Sequence, residues 1–217
     1  MGNLDYKTFY RRHLPHFQPS GATLFVTFRL AGSIPQAVLN RWAVDSQAQQ
    51  KRMRSGVGQA SSLSSAFRQR RFVEYENLLH RAVCGPLWLK DPELATIVSD
   101  AMMFRDSETY AVDAYCVMPN HVHVVLAPLV TDSPNLEPTS LGSIMHSVKS
   151  YTANQANAVL RRQGSFWEHE NFDRAIRDEE EWLRTIGYVL NNPVKAGLVG
   201  DWQDWPHSYC RPELAPE

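Results

Sequence analysis

Two histidines one residue apart, His121 and His123, sit in the run "CVMPNHVHVVLAP". In a strand, residues i and i+2 point to the same side, so both imidazoles share a face with Val125. Their Cβ atoms are then roughly 6.5–7 Å apart by strand rise, close enough to bind one ion from one side. Spacing alone leaves two readings open: a pair of partly exposed side chains on a solvated sheet face, or half of a metal site. A histidine-triad nucleotide hydrolase needs a third histidine where Val125 stands. A barrel metallohydrolase carries its His-x-His after the first strand of a longer chain, whereas this pair lies past mid-chain.

A second chemically capable pair lies in "DEEEWLRTIGYVLNN". At about 100° per residue, Trp182, Ile186, Val189 and Leu190 form one apolar stripe. Tyr188 is turned roughly 140° from the middle of that stripe. Asn192 follows at i+4 and projects from the same side. A phenol and an amide are thus presented together, off the packing face. Tyr151, in "KSYTANQAN", is the rival tyrosine; it lies at the edge of its own helix's stripe and reads as half-buried packing.

Elements that could position these groups follow from pattern. Residues 22–30 are rich in β-formers and read as a strand. Residues 33–54 and 66–83 read as helices, the second basic and amphipathic. Asp91 caps a helix over 91–104, with Pro92 in its first turn. Residues 109–118 and 121–128 are two strands separated by Pro119 and Asn120, a hairpin. Residues 131–140 read as a loop and 141–162 as a long helix. Residues 164–177 form an irregular stretch with a possible small β excursion. Asp178 and Glu181 open the last helix, over 178–192, which Pro193 ends. This order gives an α+β fold, an antiparallel sheet with helices on one face, and the histidine face as the open side.

Composition sets the limits. The 217 residues fit a single core with excursions; hydrophobic residues are 43% and charged residues 21%, a globular balance. Lys plus Arg (22) nearly equals Asp plus Glu (23), so any basic surface is local. Three widely spaced cysteines without a CxxC pair fit a reducing cytosol. The N-terminus lacks the apolar core of a signal peptide, and no apolar run approaches a bilayer's thickness. The expectation is a cytoplasmic, nucleoid-associated protein with no membrane partner. No phosphate-binding GxxxxGK[ST] loop is present.

Taken in order, "MPNHVHVVLAP", "FWEHENFDRAIRDEEEWLRTIGYVLNNPVKAGLV" and "DWQDWPHSYC" resemble the REP-associated tyrosine transposases, which are single-tyrosine nucleases of the HUH (His-hydrophobic-His) type. The resemblance covers residues 10 to 210. It implies a single transposase domain over 1–217 with a ferredoxin-like antiparallel sheet and helices on one face, a flexible insertion near 47–65 and a C-terminal docking segment near 200–217. By the same resemblance, His121, His123 and Asn192 are metal ligands for Mg²⁺ or Mn²⁺, and Tyr188 is the nucleophile. The implied reaction cuts single-stranded DNA near REP-type hairpins through a 5′-phosphotyrosine, in a monomer. Basic and aromatic candidates for DNA contact are Arg11, Arg12, Arg68, Arg70, Arg71, Lys149, Arg161, Arg162, Phe166, Trp167, Arg174, Arg177 and Lys195, the two aromatics as exposed stacking platforms. The Ser-rich stretch at 47–65 and the near-neutral charge depart from the family's pattern. Two competing functions remain: a domesticated hairpin-binding protein that does not cut, and a small-molecule metallohydrolase using the same histidines.

Overall fold

A computed structural model describes residues 9–11, 15–17, 21–54, 60–129 and 139–215. Two short strands, β1 (Phe9–Arg11) and β2 (Pro15–Phe17), pair with each other. Then follow β3 (Leu24–Arg29), helices α1 (Gln36–Arg54), α2 (Ala60–Arg81) and α3 (Pro92–Met103), strands β4 (Tyr110–Met118) and β5 (His121–Pro128), and helix α4 (Leu141–Val159). The chain closes with β6 (Phe172–Ala175), α5 (Glu179–Leu190), a single turn α6 (Asn192–Lys195) and β7 (Ser208–Cys210). The main sheet has the order β6-β3-β5-β4-β7, and every pairing is antiparallel. The α+β class and the antiparallel sheet are therefore as expected from the sequence.

Local chemistry sets the boundaries. Pro119 and Asn120 make a two-residue connection, with Met118 and His121 paired across its base. Asp91 accepts the backbone N–H of Glu93 at 3.0 Å and Pro92 starts α3. Asp178 accepts the Glu181 N–H at 2.7 Å. Glu181 then turns to the Arg177 backbone N–H at 3.1 Å, one residue before the position a standard capping box would use. α5 stops at Leu190, and Pro193 falls in the first turn of α6 rather than directly behind α5.

The sheet's two faces are both covered. Val122, Val124 and Leu126 of β5, with Leu24, Val26 and Phe28 of β3, pack beneath α3 and α4. The expectation that the histidine face is open needs correction. Phe25, Ala114, Cys116, Met118 and Val125 also point to that side, and they pack with Tyr75 and Leu79 of α2 and Ile186, Val189 and Leu190 of α5. That apolar set must be buried too, so helices lie on both faces, and His121 and His123 are 1% and 0% exposed. A bulge between Val112 and Ala114 shifts the register of β4 against β5. At that bulge the Asp113 carboxylate accepts the Trp182 indole N–H at 2.8 Å and anchors the start of α5.

Two further contacts fix α2. Gly85, just past its end, has φ +80°, and a Cβ there would lie 2.5 Å from the Gly32 carbonyl oxygen; only glycine permits that approach. Asn120 in the hairpin donates its amide N–H to the Leu79 carbonyl at 3.1 Å. The stretch 47–65, read as an insertion, is helical at 47–54 and 60–65, while 55–59 lie outside the described residues. Near the C-terminus, β7 pairs with β4, and the Trp205 indole donates to the Val117 carbonyl at 3.0 Å.

Candidate functional site

Strand alternation aims His121 and His123 at the space beneath α2 and α5. Their Nε2 atoms are 2.9 Å apart. Asn120 fixes the first ring. Its amide N–H is already committed to Leu79, so its Oδ1 is the atom that meets His121 Nδ1, at 2.6 Å. His121 Nδ1 therefore carries the proton, and Nε2 presents a lone pair to the site. Thr27 on β3 lies opposite His123 in the ladder and holds its Nδ1 at 2.9 Å. Phe25 stacks along the same ring, with centroids 5.7 Å apart.

Burial pushes both imidazoles well below their ordinary range, helped by neighbouring imidazoles and, for His123, by Lys195. Neutral imidazole is the metal-binding form. Two nitrogens this close must share either a proton or an ion, since two facing lone pairs repel.

Helix α2 brings in two residues that the sequence reading did not select. Glu76 and His80 are four apart and so project from one side of the helix. The Glu76 carboxylate lies 3.3 Å from His123 Nε2 and 4.0 Å from His80 Nε2. Glu76, His80, His121 and His123 each offer a ligand atom within 4.8 Å of the others, a group that could hold a metal ion. Burial raises the Glu76 carboxyl to about 8, against the lowering effect of hydrogen bonds from Tyr188 and Thr27. Its Oε1 is buried without a hydrogen-bond partner. Burial likewise lowers His80, against its bond to Asn192.

The donor set suits a divalent cation. It combines borderline imidazole nitrogens with a hard carboxylate oxygen. Ligands about 2.0–2.2 Å from one ion in an octahedral arrangement lie about 2.8–3.1 Å from each other. The nitrogen pair at 2.9 Å matches that edge, and the 3.3 Å nitrogen–oxygen contact is close to it.

Helix α5 supplies the phenol. The apolar stripe packs inward as the periodicity predicts, with Ile186, Val189 and Leu190 buried. Tyr188 is half-buried, its ring 5.7 Å from that of His123 within the same chain. Its hydroxyl donates to Glu76 Oε2. Burial first, then the Glu76 charge and that bond, hold the phenol well above its ordinary value. The Lys195 ammonium sits 4.7 Å from the centre of the Tyr188 ring. Asn192 is fully buried beside the cluster. Its amide N–H donates to the Tyr188 carbonyl at 2.8 Å, which leaves Oδ1 to accept from His80 Nε2 at 2.7 Å. Tyr151 is 55% exposed on α4, over the opposite face of the sheet, and not half-buried as its position on the stripe suggests.

The expected DNA-contact residues divide. Arg12, and the side chains of Arg11 and Arg68, lie outside the described residues. Arg70, Arg161 and Lys195 are exposed. Arg71 is buried between Asp45 and the Trp42 ring. Lys149 donates to the carbonyls of Glu168 and His169 and to the Asn171 side chain. Arg162 lies over Trp88, and Arg174 and Arg177 both pair with Glu181. Phe166 and Trp167 are not exposed platforms. They are 1% and 6% exposed, Phe166 against Trp88 and Trp167 against Phe28. Their irregular segment carried no periodicity from which burial could be read.

Among the described residues no helix is long and apolar enough to cross a membrane. No protein-family model matches the chain. A protein of Haemophilus influenzae, provisionally named a REP-associated tyrosine transposase, is 25% identical over 107 residues, or 48% of this chain and 61% of that one. The REP-associated tyrosine transposase of Escherichia coli K12 is 26% identical over 106 residues, or 49% of this chain and 58% of that one. The chain thus matches about three-fifths of the length of these curated relatives, at 61% and 58%. A solved REP-associated tyrosine transposase bound to a REP hairpin is 17% identical, with a TM-score of 0.47 over 92% of this chain and 80% of that one. The two curated relatives bear out the resemblance read from the motifs: the chain is a distant relative of proteins named REP-associated tyrosine transposases.

Proposed function

We propose that this protein is a metal-dependent strand transferase that cuts single-stranded DNA near REP-type hairpins through a 5′-phosphotyrosine. One observation carries the proposal. A buried imidazole pair and the hydroxyl-bearing ring of Tyr188 meet in one site, the rings of His123 and Tyr188 being 5.7 Å apart. His121 and His123 would hold a divalent ion, Mg²⁺ or Mn²⁺, and Asn192 is the third ligand that the family resemblance implies. When bound, such an ion supplies positive charge to the scissile phosphate and to the nearby phenol.

The chain's own residues set up the rest. Glu76 holds the Tyr188 hydroxyl at one point and keeps it protonated at rest. Tyr188 becomes a nucleophile once positive charge offsets Glu76. Its proton passes to Glu76 Oε2, to which the hydroxyl already donates, and its Oη forms a bond to phosphorus as the bond to the 3′ oxygen breaks. That oxygen takes a proton from water, and the strand leaves with a 3′-hydroxyl. The phosphate ester is conserved in the covalent link, so a second 3′-hydroxyl reverses the step without ATP. Lys195, exposed at the edge of the Tyr188 ring, is positioned to meet a phosphate. Among the described residues of the set, Arg70, Arg161 and Arg177 are also exposed, Arg177 being paired with Glu181. We infer a monomer whose site is completed by its own α5, acting on DNA in the cytoplasm.

The test is incubation of the full chain with Mn²⁺ and a labelled single-stranded hairpin oligonucleotide, followed by denaturing electrophoresis. The expected result is a band in which label and protein migrate together. Hairpin binding with no such band would instead make the protein a non-cleaving binder. Metal-dependent turnover of a small phosphoester that survives Tyr188→Phe would mark a hydrolase.

A further inference from the structure

We propose that the third metal ligand is the Glu76 carboxylate of α2, and that Asn192 acts behind the metal site by orienting His80. The inference rests on the proposed metal site at His121 and His123 and departs from the ligand set implied by resemblance.

Asn192 has little left to give. Both faces of its amide are engaged, Oδ1 by His80 Nε2 at 2.7 Å and Nδ2 by the Tyr188 carbonyl at 2.8 Å. Coordination through Oδ1 would have to share that oxygen with the half-buried His80 donor. An amide oxygen also brings no charge.

Glu76 has the opposite profile. Its side chain is 7% exposed, and Oε1 is buried without a hydrogen-bond partner. Among the described residues its ion-pair contacts are imidazoles, His123 at 3.3 Å and His80 at 4.0 Å. A carboxylate this buried is costly to ionise unless a cation lies against it, and a divalent ion between Glu76, His121 and His123 would offset that cost. The carboxylate can face the ion through Oε1 while Oε2 keeps the Tyr188 hydroxyl. One residue would then tie the metal to the nucleophile. His80, one turn along α2, links this ligand to α6 through Asn192.

The experiment is titration of the metal-free full chain with Mn²⁺ alone, read by calorimetry and by loss of the free Mn²⁺ electron-spin resonance signal. Glu76→Gln should weaken Mn²⁺ binding by more than about 100-fold, and Asn192→Ala by about tenfold, the lower end of the roughly 10–100-fold range of an outer-shell partner. Glu76→Asp, which keeps the charge on a shorter arm, should fall between wild type and Glu76→Gln. It serves as the test should Glu76→Gln lose its native circular dichroism. Wild-type affinity in either Glu76 variant, or a greater loss in Asn192→Ala, overturns the assignment. The two claims separate cleanly. Glu76-dependent Mn²⁺ binding without any DNA adduct keeps the ligand and sinks the transferase. An adduct-forming protein whose Mn²⁺ affinity ignores Glu76 does the reverse.

Discussion

Val122, Val124 and Leu126 leave one side of β5 towards α3 and α4, while His121 and His123 leave the other side towards α2 and α5. Both sides are dry. On the first, contact between apolar side chains is enough, and any shape that fills the space serves. On the second, each buried polar atom needs a named partner: Asn120 for His121, Thr27 for His123, Tyr188 for Glu76, Asn192 for His80. In this group Glu76 Oε1 is the buried atom left without a hydrogen-bond partner, and it is the one proposed to face the metal. The first face stabilises the fold; the second spends stability on a defined geometry.

That contrast can be attacked in graded steps. Phe28→Ala on the apolar face should cost about 3–5 kcal/mol in urea unfolding, through lost burial and a cavity beside Trp167. It should leave Mn²⁺ affinity unchanged if the protein is measured well below its unfolding midpoint. On the polar face, Mn²⁺ at a hundredfold its dissociation constant should raise the unfolding free energy by about 2.7 kcal/mol. That gain should vanish in His121→Ala. If it persists, the histidine face is not the metal face. Asp178→Ala removes the cap of α5 and should cost about 1 kcal/mol. Because α5 carries Tyr188, a slower adduct-forming rate with unchanged Mn²⁺ affinity is also expected. Arg184→Ala breaks an exposed pair with Glu180 and should change stability by less than about 0.5 kcal/mol. A larger cost there would mean that α5 is held by its surface as well as by its buried stripe.

Much of this arrangement is legible in the sequence because it is local. The Pro119–Asn120 connection, the Asp91 and Asp178 caps and the off-stripe phase of Tyr188 each depend on a few neighbouring residues. So does the shared face of His121 and His123. What fails to show is set by distant contacts. The closure of the histidine face follows from Phe25, Ala114, Cys116 and Val125 acting together across three strands. Read alone, β5 gives that face only Val125 and the small Ala127 as apolar residues. Glu76 and His80 carried a signal, a carboxylate and an imidazole four apart on a helix, but nothing in "ENLLH" says which way that face turns. The contact of Gly85 with Gly32 and the tether from Asn120 to Leu79 decide it. Arg71 and Lys149 look like surface charge in one dimension and are tied to the protein itself in three.

The central claim is that Tyr188 joins covalently to DNA. It is tested most directly by trapping the product of the full chain with a single-stranded hairpin oligonucleotide and Mn²⁺, digesting both components, and mapping the modified peptide by mass spectrometry. The account predicts a nucleotide linked through phosphate to Tyr188 in the α5 peptide, and no linked peptide from Tyr188→Phe. A linkage to Tyr151 or any other side chain, or an unmodified Tyr188 in a preparation that has cut the oligonucleotide, would contradict it.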